Sequence, residues 1–562
     1  MSDNPKFFKV YDTETTGLSP SRDQIIQFFG MTLDQDLNPI DGNELSLNVK
    51  LRPDVVPSPY AFAIHGISIL DLLKNGITEF EAIGHVRNWF LSQDNTMIAG
   101  FNSLTFDDEM VRNSLYRNML DPYEHEWKNK NGKMDILRLV HLVYALRPEI
   151  MNWPINSKGS ISLKLGDLCR ENGIILDNAH DAKFDVLATV DLMRLIKAKS
   201  PKIWDYYLKL TTKDYCKSIA EKMSPIVLVD RYMPRENGHM SIVLPVIYDA
   251  SGGQRMLAVD LREDPTELMS LPPEEIRRRM FTKSSDLGDE QPITSIRDIT
   301  MNKQPLIAEM SVLRNRPDIV ARSGLDVDLC MTHAQMIKDD PGFRGRLQAA
   351  LDAEFKPCTH SYDGIYSLGF IGRPEGAERS RVRVSIKDED SPLKGLPEIV
   401  RKNPYDVSRA QVSDSVRAFE LTLYSKWSNF SESVIDNNCY TADELGEWSD
   451  HLQKTWFNEP SARNALNIDT YRKTLIEVRA TLALDDRQES ALIELEEYID
   501  ANLKMVDSIK AMSTELKEAG ISSSHAEDNS TLSKDKIKKD RESKSKREGA
   551  SNLKFSGSDP SP

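Results

Sequence analysis

Short apolar runs alternate with amphipathic stretches along residues 1–198 of this chain. Apolar runs bounded by turn residues are typical of strands, whereas apolar residues at i, i+4, i+7 and i+8, as from Ala188 to Ile196, are typical of helices. The predicted strands lie near residues 7–12, 24–33, 45–51 and 96–101, and the predicted helices near 68–74, 80–92, 107–118, 134–145 and 182–198. This alternation predicts an α/β domain with a mixed sheet flanked by helices.

The pattern changes twice in the rest of the chain. Between residues 225 and 310, short apolar runs separated by turns with Gly and Asn predict strands near 226–229, 242–244 and 256–259. From about residue 360 the pattern is helical, and one apolar stripe indicates ordinary core packing. The stripe consists of Leu492, Leu495, Ile499 and Leu503.

The tail, residues 513–562, is rich in Ser, Lys, Asp and Glu and has few apolar residues. Such a composition buries too little apolar surface to offset chain ordering, so the tail is predicted to be disordered. Its bases between residues 534 and 547 offer nonspecific contact with DNA or a partner. Acids alternate with these bases, however, and that mixture favours a solvated linker.

Length and composition limit the class of protein. A chain of 562 residues predicts about two to four domains, and 40% hydrophobic with 28% charged residues is typical of a soluble globular protein. No apolar run of about 18 residues occurs, so no membrane span is expected, and the N-terminus lacks the features of a secretory signal. Five scattered cysteines without a Cys-x-x-Cys pair argue against zinc and lead us to expect a cytoplasmic protein. The net charge of −15 means that any DNA path must be a local basic and aromatic track.

A pair of acids, Asp12 and Glu14, stands at the end of the first predicted strand. Residues i and i+2 of a strand point to the same face, so both carboxylates project together. Paired carboxylates can bind hard divalent cations, which prefer oxygen ligands. An Asp-x-Glu triplet is also common as solvated surface charge, so its meaning depends on further acids downstream.

Further acids stand near the start of two predicted helices. Asp107 lies in the first turn of the helix after the fourth strand, beside the turn that contains Asn102. First-turn acids also complement the helix dipole, which is the simpler interpretation of Asp107 taken alone. Asp185 lies on the last helix of this domain, and His180 is roughly 140° away from it around a regular helix. His180 is therefore predicted in the preceding loop, with Asp185 facing inward.

Together the acids form one ordered set, which consists of Asp12, Glu14, Asp107 and Asp185. Carboxylates that converged without cations would repel one another strongly, so the set predicts bound metal. Two Mg²⁺ ions about 3.5–4 Å apart clamp the attacking and leaving oxygens of a phosphoryl displacement. A histidine such as His180, with an unperturbed pKa of about 6.5, can take the proton from an attacking water. Hydrolysis of a phosphodiester is the reaction that these residues fit best.

In these residues the chain resembles the DEDDh class of 3′–5′ exonucleases, with the four acids and His180 at matching positions. The neighbouring phrases are similar to those of bacterial exonuclease I, which acts on single-stranded DNA. They are Phe106-Asp107-Asp108-Glu109, Tyr116-Arg117-Asn118, Asp121-Pro122-Tyr123, residues 144–149, Asn152-Trp153-Pro154 and Asn178-Ala179-His180-Asp181-Ala182. The likeness continues through Asn302-Lys303-Gln304-Pro305 and thins after about residue 360.

The resemblance implies a division of the chain and a mechanism. The expected domains are a ribonuclease-H-like exonuclease domain at 1–198, an SH3-like β-barrel domain at 199–357, a helical C-terminal domain at 358–512 and the tail at 513–562. The four acids are expected to hold two Mg²⁺ ions, for which Mn²⁺ can substitute, with His180 as the general base. The expected product is a 5′-mononucleotide released from the 3′ end of single-stranded DNA, in repair or recombination.

The resemblance also implies substrate contacts. Tyr123 and Trp127, spaced i and i+4, match positions where bases stack, worth about 1–3 kcal/mol per base, although half-buried aromatic packing explains the same spacing. The other implied contacts are Glu14, Arg112, Lys164, Lys213, Gln254, Arg297 and Asn302. Lys164 stands where exonuclease I usually has arginine, and an ammonium still holds a phosphate but lacks the bidentate fork.

Family members bind the acidic C-terminal peptide of single-stranded DNA-binding protein, and Arg147 and Tyr206 match positions associated with that contact. His141 and Glu309 depart from the family pattern, so no role is carried over to them. A monomer is expected. Two alternatives stay open: a proofreading or RNA-trimming exonuclease, and a non-catalytic single-stranded DNA-binding module. The family-like continuation through Asn302 argues against the first, and the intact catalytic set argues against the second.

Overall fold

The computed structural model describes residues 4–118, 120–175, 181–234, 237–249, 255–287, 291–351, 442–460 and 462–518, with a few positions between 365 and 383. Two of the predicted site residues, His180 and Gln254, lie outside the described residues. So do residues 519–562, which include most of the predicted tail, and most of residues 358–441.

The described residues form two sheets and a set of helices. The strands are β1 (Phe7–Thr15), β2 (Ile25–Asp34), β3 (Pro39–Asn48), β4 (Thr96–Gly100), β5 (Gly132–Asp135), β6 (Ile226–Val229), β7 (Met240–Asp249), β8 (Arg255–Asp260), β9 (Ile296–Thr300) and β10 (Leu306–Glu309). The helices before β6 are α1 (Pro59–His65), α2 (Ile69–Asn75), α3 (Glu79–Phe90), α4 (Asp107–Arg117), α5 (Glu124–Trp127), α6 (Ile136–Leu146), α7 (Leu165–Glu171), α8 (Ala182–Lys199), α9 (Pro201–Leu210) and α10 (Lys213–Ala220). The later helices are α11 (Thr266–Ser270), α12 (Pro273–Phe281), α13 (Pro317–Ser323), α14 (Val327–Asp339), α15 (Phe343–Leu351), α16 (Ala442–Phe457), α17 (Ile468–Thr481) and α18 (Asp486–Glu518).

The first sheet is mixed, with the strand order β3-β2-β1-β4-β5. β1 pairs antiparallel with β2 and parallel with β4, and β4 pairs parallel with β5. β1 is therefore the central strand, and its C-terminal end lies beside the end of β4. In this register Asp12 is opposite Phe29 and Glu14 is opposite Gln27.

Alternation along β1 gives each face of the sheet its own core. Phe8 and Val10 point to the face covered by α6 and α8. Tyr11 points to the other face, covered by α3 and α4, where it packs on Phe28 and Phe90. Because side chains alternate along a strand, Asp12 continues the series of Phe8 and Val10 and emerges on the α8 side.

The second sheet is antiparallel throughout, with the order β10-β6-β7-β8-β9. Its buried residues belong to the same hydrophobic core as α6, α8 and α9. Gln304, just before β10 of the second sheet, makes two hydrogen bonds to the first part of the chain. Its Nε2 donates to the Lys133 carbonyl of β5 at 2.6 Å, and its Oε1 accepts from the Tyr207 hydroxyl of α9 at 3.2 Å. The second sheet is thus packed firmly beside β5.

Helices α16, α17 and α18 pack on α1 and α2 around a separate apolar core. Polar contacts border this core: His451 Nε2 lies 3.0 Å from Asp54 Oδ2, and the Tyr498 hydroxyl donates to the Arg52 carbonyl at 3.2 Å. Asp54 is also paired with the Arg52 guanidinium, at 2.7 Å. Residues far apart in the chain therefore fix the C-terminal helices against the first domain.

Trp456 is the largest fully buried side chain among the described residues, and its Nε1 donates to the Pro53 carbonyl at 3.0 Å. We expect Trp456→Ala to lower the free energy of unfolding by about 3–5 kcal/mol, the usual cost of removing a buried aromatic ring. Urea unfolding followed by circular dichroism measures this loss. Trp456→Phe, which keeps most of the apolar volume, should cost less. Trp127→Ala, at a position that is 63% exposed, is the control and should leave the unfolding midpoint nearly unchanged.

The α/β fold class, with a second β-rich unit and C-terminal helices, is confirmed. Apolar periodicity correctly predicted β1, β2, β4, α2, α3, α4, α6 and α8, and the stripe that begins at Leu492 lies in the C-terminal core. No helix in the described part of the chain has both the length and the apolar character needed to cross a bilayer. Helix α18 continues to Glu518, past the predicted end of the helical domain at residue 512.

Edge strands account for the main differences. β3 begins at Pro39, so the strand predicted near 45–51 was wrong at both ends, because alternate residues of this edge strand are exposed and polar. β5 was missed because Gly132–Asp135 is short and holds little apolar surface; it forms by pairing with β4. The helix predicted from residue 134 begins at Ile136, since the Asp135 side chain caps it by accepting from the Leu137 amide at 2.9 Å.

Candidate active site

The structure brings three of the predicted acids together at the end of β1. Asp12 and Glu14 of β1 and Asp185 of α8 each offer an oxygen, and these oxygens all lie within 4.8 Å of one another. All three side chains are half-buried. Because β1 is the central strand and α8 covers its face, the cluster is held by the core of the domain and not by a surface loop.

The start of α8 is fixed by hydrogen bonds that also involve the sheet. Asp181 caps the helix, accepting from the Lys183 amide at 3.1 Å. The Ala182 amide donates to Gln27 Oε1 at 3.1 Å, and Gln27 is the β2 partner of Glu14. One glutamine thus links the first turn of α8 to the strand pair that carries the acids, which sets the position of Asp185.

Asp107 approaches from the other face of the sheet. It lies in the first turn of α4, is buried, and accepts from the Thr13 hydroxyl at 2.6 Å. Thr13 stands between Asp12 and Glu14 in β1, so this hydrogen bond places the Asp107 carboxyl beside the acid pair. The turn before α4 contains Asn102 in the left-handed conformation, at a φ of 64°.

Asp108, the next residue, has a different environment. Its carboxylate accepts from the Tyr11 hydroxyl at 2.7 Å and lies 3.3 Å from the Lys133 ammonium. Burial alone raises its pKa, but the charges of Lys133 and Arg112 and the hydrogen bond from Tyr11 lower the pKa of Asp108 below its usual value. Asp108 therefore stays ionised and holds the first turn of α4 in place.

Asp135 is a supporting residue that the sequence analysis missed. Its carboxylate accepts from the amides of Asn102 at 2.9 Å and Leu104 at 3.3 Å, so it orders the turn that leads to Asp107. Its carbonyl accepts from the Tyr207 hydroxyl at 2.7 Å. Burial raises the pKa of Asp135 to about 6. An acid just before the apolar run that starts at Ile136 is a cap signal, and that was the available clue.

Burial and mutual repulsion perturb the clustered acids. Burial, followed by the charges of Asp107, Glu14 and Asp185, raises the pKa of Asp12 well above its usual value. Burial and the neighbouring carboxylates also raise the pKa of Glu14, whereas the guanidinium of Arg487 lowers it. Burial raises the pKa of Asp107 to about 7. Crowded carboxylates of this kind fit a divalent cation site, because oxygen-ligated cations offset their repulsion.

These shifts predict how the stability of the protein depends on pH and metal. An acid such as Asp107, whose pKa is raised on folding, destabilises the fold when it ionises: the effect is absent below its unfolded pKa of about 4 and complete above about 7. We expect the Tm in EDTA to fall as pH rises through this window, and less steeply in Asp107→Asn. Mg²⁺ should raise the Tm more at about pH 8 than at about pH 5. Thermal melts test this, and equal Mg²⁺ increments at both pH values would contradict it.

The predicted base contacts occupy two different environments. Trp127 is exposed, whereas the Tyr123 ring is half-buried, 5.5 Å from the guanidinium of Arg112. Arg112 is itself paired with Glu109 and Glu126, each at 2.6 Å. Its guanidinium is therefore engaged by protein carboxylates and lies beside the Tyr123 ring.

Two aromatic neighbours of Tyr123 come from a distant part of the chain. Phe370 packs edge-on against Tyr123, with ring centroids 5.6 Å apart, and is itself 86% exposed. The Tyr366 hydroxyl donates to the Glu109 carboxylate. The sequence analysis missed both residues, since no local pattern connects them with Tyr123.

The other predicted contacts are scattered over several elements. Lys164, Lys213 and Asn302 are exposed, and Arg297 on β9 pairs with Asp260 at 3.3 Å. Arg147 caps the C-terminal end of α6, and the Tyr206 hydroxyl of α9 donates to the Ile307 carbonyl at 2.7 Å. The departing residue Glu309 pairs with Lys222.

Comparison with known proteins places this site in a family. One family model, described as Exonuclease, matches residues 10–193, and another, described as Exonuclease I SH3-like domain, matches residues 212–353. The chain is 31% identical over 391 residues to exodeoxyribonuclease I of Escherichia coli, covering 69% of this chain and 81% of that protein. It is 32% identical over 370 residues to exodeoxyribonuclease I of Haemophilus influenzae, covering 64% and 77%.

Solved structures agree with these matches. Exonuclease I from Methylocaldum szegediense superposes with a TM-score of 0.77 at 28% identity, covering 88% of this chain and 99% of that one. E. coli exonuclease I in complex with a dA16 oligonucleotide superposes with a TM-score of 0.76 at 26% identity, covering 88% and 100%. With the acids gathered at the end of β1 and both domains matched in order, the chain belongs to the exodeoxyribonuclease I family.

Proposed function

We propose that this protein is a 3′–5′ exonuclease that releases 5′-mononucleotides from single-stranded DNA. The observation that carries the proposal is the cluster of Asp12, Glu14 and Asp185, whose oxygens lie within 4.8 Å of one another. It occurs in a chain that matches an Exonuclease family model and, after it, the model of the Exonuclease I SH3-like domain. Solved relatives hold single-stranded oligonucleotides, and we assign the same substrate class to this chain.

The proposed metal ligands are Asp12, Glu14, Asp107 and Asp185. Two divalent cations, which we propose to be Mg²⁺ with Mn²⁺ able to substitute, supply charge neutralisation at the scissile phosphate when bound. The hydrogen bond from Thr13 to Asp107 and the link from Gln27 to the start of α8 keep the carboxylates converged. Asp108 and Asp135 act as positioning residues, because Asp135 orders the turn that leads to Asp107 and Asp108 holds the first turn of α4, which contains Asp107.

His180 is the proposed general base. It directly precedes Asp181 in the sequence. Asp181 caps α8, and Asp185 lies in the first turn of that helix. A neutral imidazole takes the proton from the attacking water as the oxygen bonds to phosphorus, and the 3′ oxygen of the remaining strand leaves.

The remaining predicted contacts are proposed to bind the strand. Trp127 and Tyr123 stack bases, with Arg112 behind the Tyr123 ring. The other residues of the set contact phosphates and sugars along the strand, and they are Glu14, Lys164, Lys213, Gln254, Arg297 and Asn302. Arg147 and Tyr206 are proposed to contact the acidic C-terminus of single-stranded DNA-binding protein. We propose a cytoplasmic monomer that acts in DNA repair and recombination.

A Mg²⁺-dependent time course on end-labelled single-stranded DNA tests the proposal. A label at the 3′ terminus should appear at once as mononucleotide, whereas a 5′ label should pass through a ladder of shortening strands. Duplex DNA and an RNA strand of the same sequence are the matched controls and should be digested far more slowly. Equal digestion of RNA would favour an exoribonuclease, and binding without digestion would favour a non-catalytic module.

A further inference from the structure

Phe370 is an aromatic side chain that the fold leaves in water. It is 86% exposed, and among the described residues no other large hydrophobic side chain is as exposed. Burial of the ring would stabilise the fold, and this position forgoes that stabilisation. Single apolar residues are common on protein surfaces, so the exposure gains meaning only from the neighbours of the ring.

The ring of Phe370 contacts Tyr123, one of the residues proposed to stack a base. The two ring centroids are 5.6 Å apart and the ring planes meet at 71°, so the contact is edge-on. Such a contact covers little of the Phe370 ring, in agreement with its exposure. Trp127, four residues after Tyr123, is exposed as well, at 63%. Phe370 therefore continues a group of accessible aromatic rings and leaves room for a further base.

Tyr366 anchors the chain just before Phe370. Its hydroxyl donates to the carboxylate of Glu109, in the first turn of α4. Glu109 pairs with Arg112 at 2.6 Å, and the Arg112 guanidinium lies over the Tyr123 ring at 5.5 Å. The segment that carries Phe370 is thus joined to Tyr123 twice, by the ring contact and by this series of polar contacts.

Two arginines anchor the chain after Phe370 to the other end of α4. Arg379 donates to the Tyr116 carbonyl at 3.1 Å, and Arg383 donates to the Asn118 carbonyl at 2.8 Å. Both arginines are buried, and cations at the C-terminal end of a helix complement its dipole. Anchors on both sides therefore hold the exposed ring in place beside Tyr123.

We propose that Phe370 is a further substrate-binding residue, on which a base of the single strand stacks next to the base bound at Tyr123. This inference rests on the proposed function and deepens it: the chain between the SH3-like domain and the C-terminal helices contributes a ring to the path of the strand. Every base has a face that can stack, so the contact is tolerant of sequence. It requires an unpaired base, which a duplex does not offer.

The test uses the full chain in EDTA, where binding is measured without hydrolysis. For Phe370→Ala, the Kd of a 5′-fluorescein-labelled oligothymidylate, read by anisotropy, should rise about 5- to 100-fold, the range for one stacked base. Phe370→Trp should bind with parental affinity. Phe370→Leu keeps an apolar side chain without an aromatic face and should resemble Phe370→Ala. Because no charge is removed, the slope of log Kd against log salt should stay parental in all three variants.

Tyr232→Ala is the matched control. Tyr232 is 74% exposed in the turn after β6, so this variant also removes an exposed ring, and its Kd should stay parental. The Tm of Phe370→Ala should also stay parental, because the ring is hardly buried. Parental affinity in Phe370→Ala or in Phe370→Leu would overturn the proposal, as would an equal loss of affinity in Tyr232→Ala.

Abasic nucleotides locate the contact. One abasic nucleotide, placed at successive positions from the 3′ end, should weaken binding by the parent wherever a base stacks. Phe370→Ala and Tyr123→Ala should each lose this sensitivity at one position, and the two positions should differ. Loss at the same position would show that Phe370 only supports Tyr123, and it would overturn the proposal. A parent that binds the oligonucleotide yet never digests it would overturn the proposed function and leave the binding test of Phe370 intact.

Discussion

Asp185→Asn is expected to abolish nucleotide release, with kcat reduced by at least about 10³-fold. The substitution keeps the shape of the side chain and removes one charge from the cluster formed with Asp12 and Glu14. Several kcal/mol of charge stabilisation at the scissile phosphate depend on the cations that this cluster is proposed to hold. Single-turnover release of a 3′-labelled nucleotide measures the loss, and Asp12→Ala should show the same result.

The matched control lies on the same helix. Asp191 of α8 is a surface acid paired with Arg194, so Asp191→Asn makes the same chemical change away from the cluster and should retain parental activity. In EDTA, Asp185→Asn should be at least as stable as the parent, because it relieves repulsion among buried carboxylates. Its Tm should no longer rise on addition of Mg²⁺. An active Asp185→Asn enzyme, or one that keeps the full Mg²⁺ increment, would contradict the assignment of this residue.

The part of the site that local rules govern could be predicted from the sequence. Alternation along β1 placed Asp12 and Glu14 on one face, and the strand-turn-helix pattern placed Asp107 in a first turn. Both predictions depend only on neighbours within a few residues, for which strand and helix geometry are sufficient. The convergence of Asp185 with them was predicted from the chemistry of the set, and the structure brings the three oxygens together.

The supporting contacts could not be predicted in the same way. Asp107 and Asp108 are adjacent and chemically identical, yet burial raises the pKa of the first, while Lys133 and Arg112 lower the pKa of the second. What separates them is the face of α4 that each occupies, together with partners brought in by β1 and β5. Asp135 likewise acquires its role from the fold, because it accepts hydrogen bonds from the amides of Asn102 and Leu104, which lie 33 and 31 residues earlier in the sequence.

Contacts across domains were the least accessible to sequence reasoning. Arg487 reaches Gly66 only because α18 packs on α1, and the apolar stripe of α18 indicated core packing without indicating its partner. Arg112 shows the opposite case: the family pattern implied a nucleic-acid contact, and the structure adds two protein carboxylates that already engage it. The sequence indicated which residue types are available, and the packing determines which of them remain free for substrate.

His180→Ala is expected to slow turnover by roughly 10²–10⁴-fold, the usual range for the loss of a general base. The acids proposed to bind metal are unchanged in this variant, so the Tm increase caused by Mg²⁺ and the KM for single-stranded DNA should stay close to parental. That combination separates His180→Ala from Asp185→Asn, in which the metal response itself is lost. The pH profile should differ too: protonation of the general base should lower parental kcat/KM toward low pH, and the variant should lack this limb.

Initial rates on end-labelled single strands across the pH range measure both effects, with His85→Ala as the control. His85 is an exposed histidine on α3, so its removal changes the histidine content without touching the acidic cluster. It should leave rate and pH profile parental. Digestion by His180→Ala at the parental rate would show that another group, or solvent hydroxide, accepts the proton. In that case the acids at the end of β1, with the cations that they are proposed to bind, would account for the whole rate enhancement. The rate would still depend steeply on Asp185, and no part of its pH dependence would be assigned to His180.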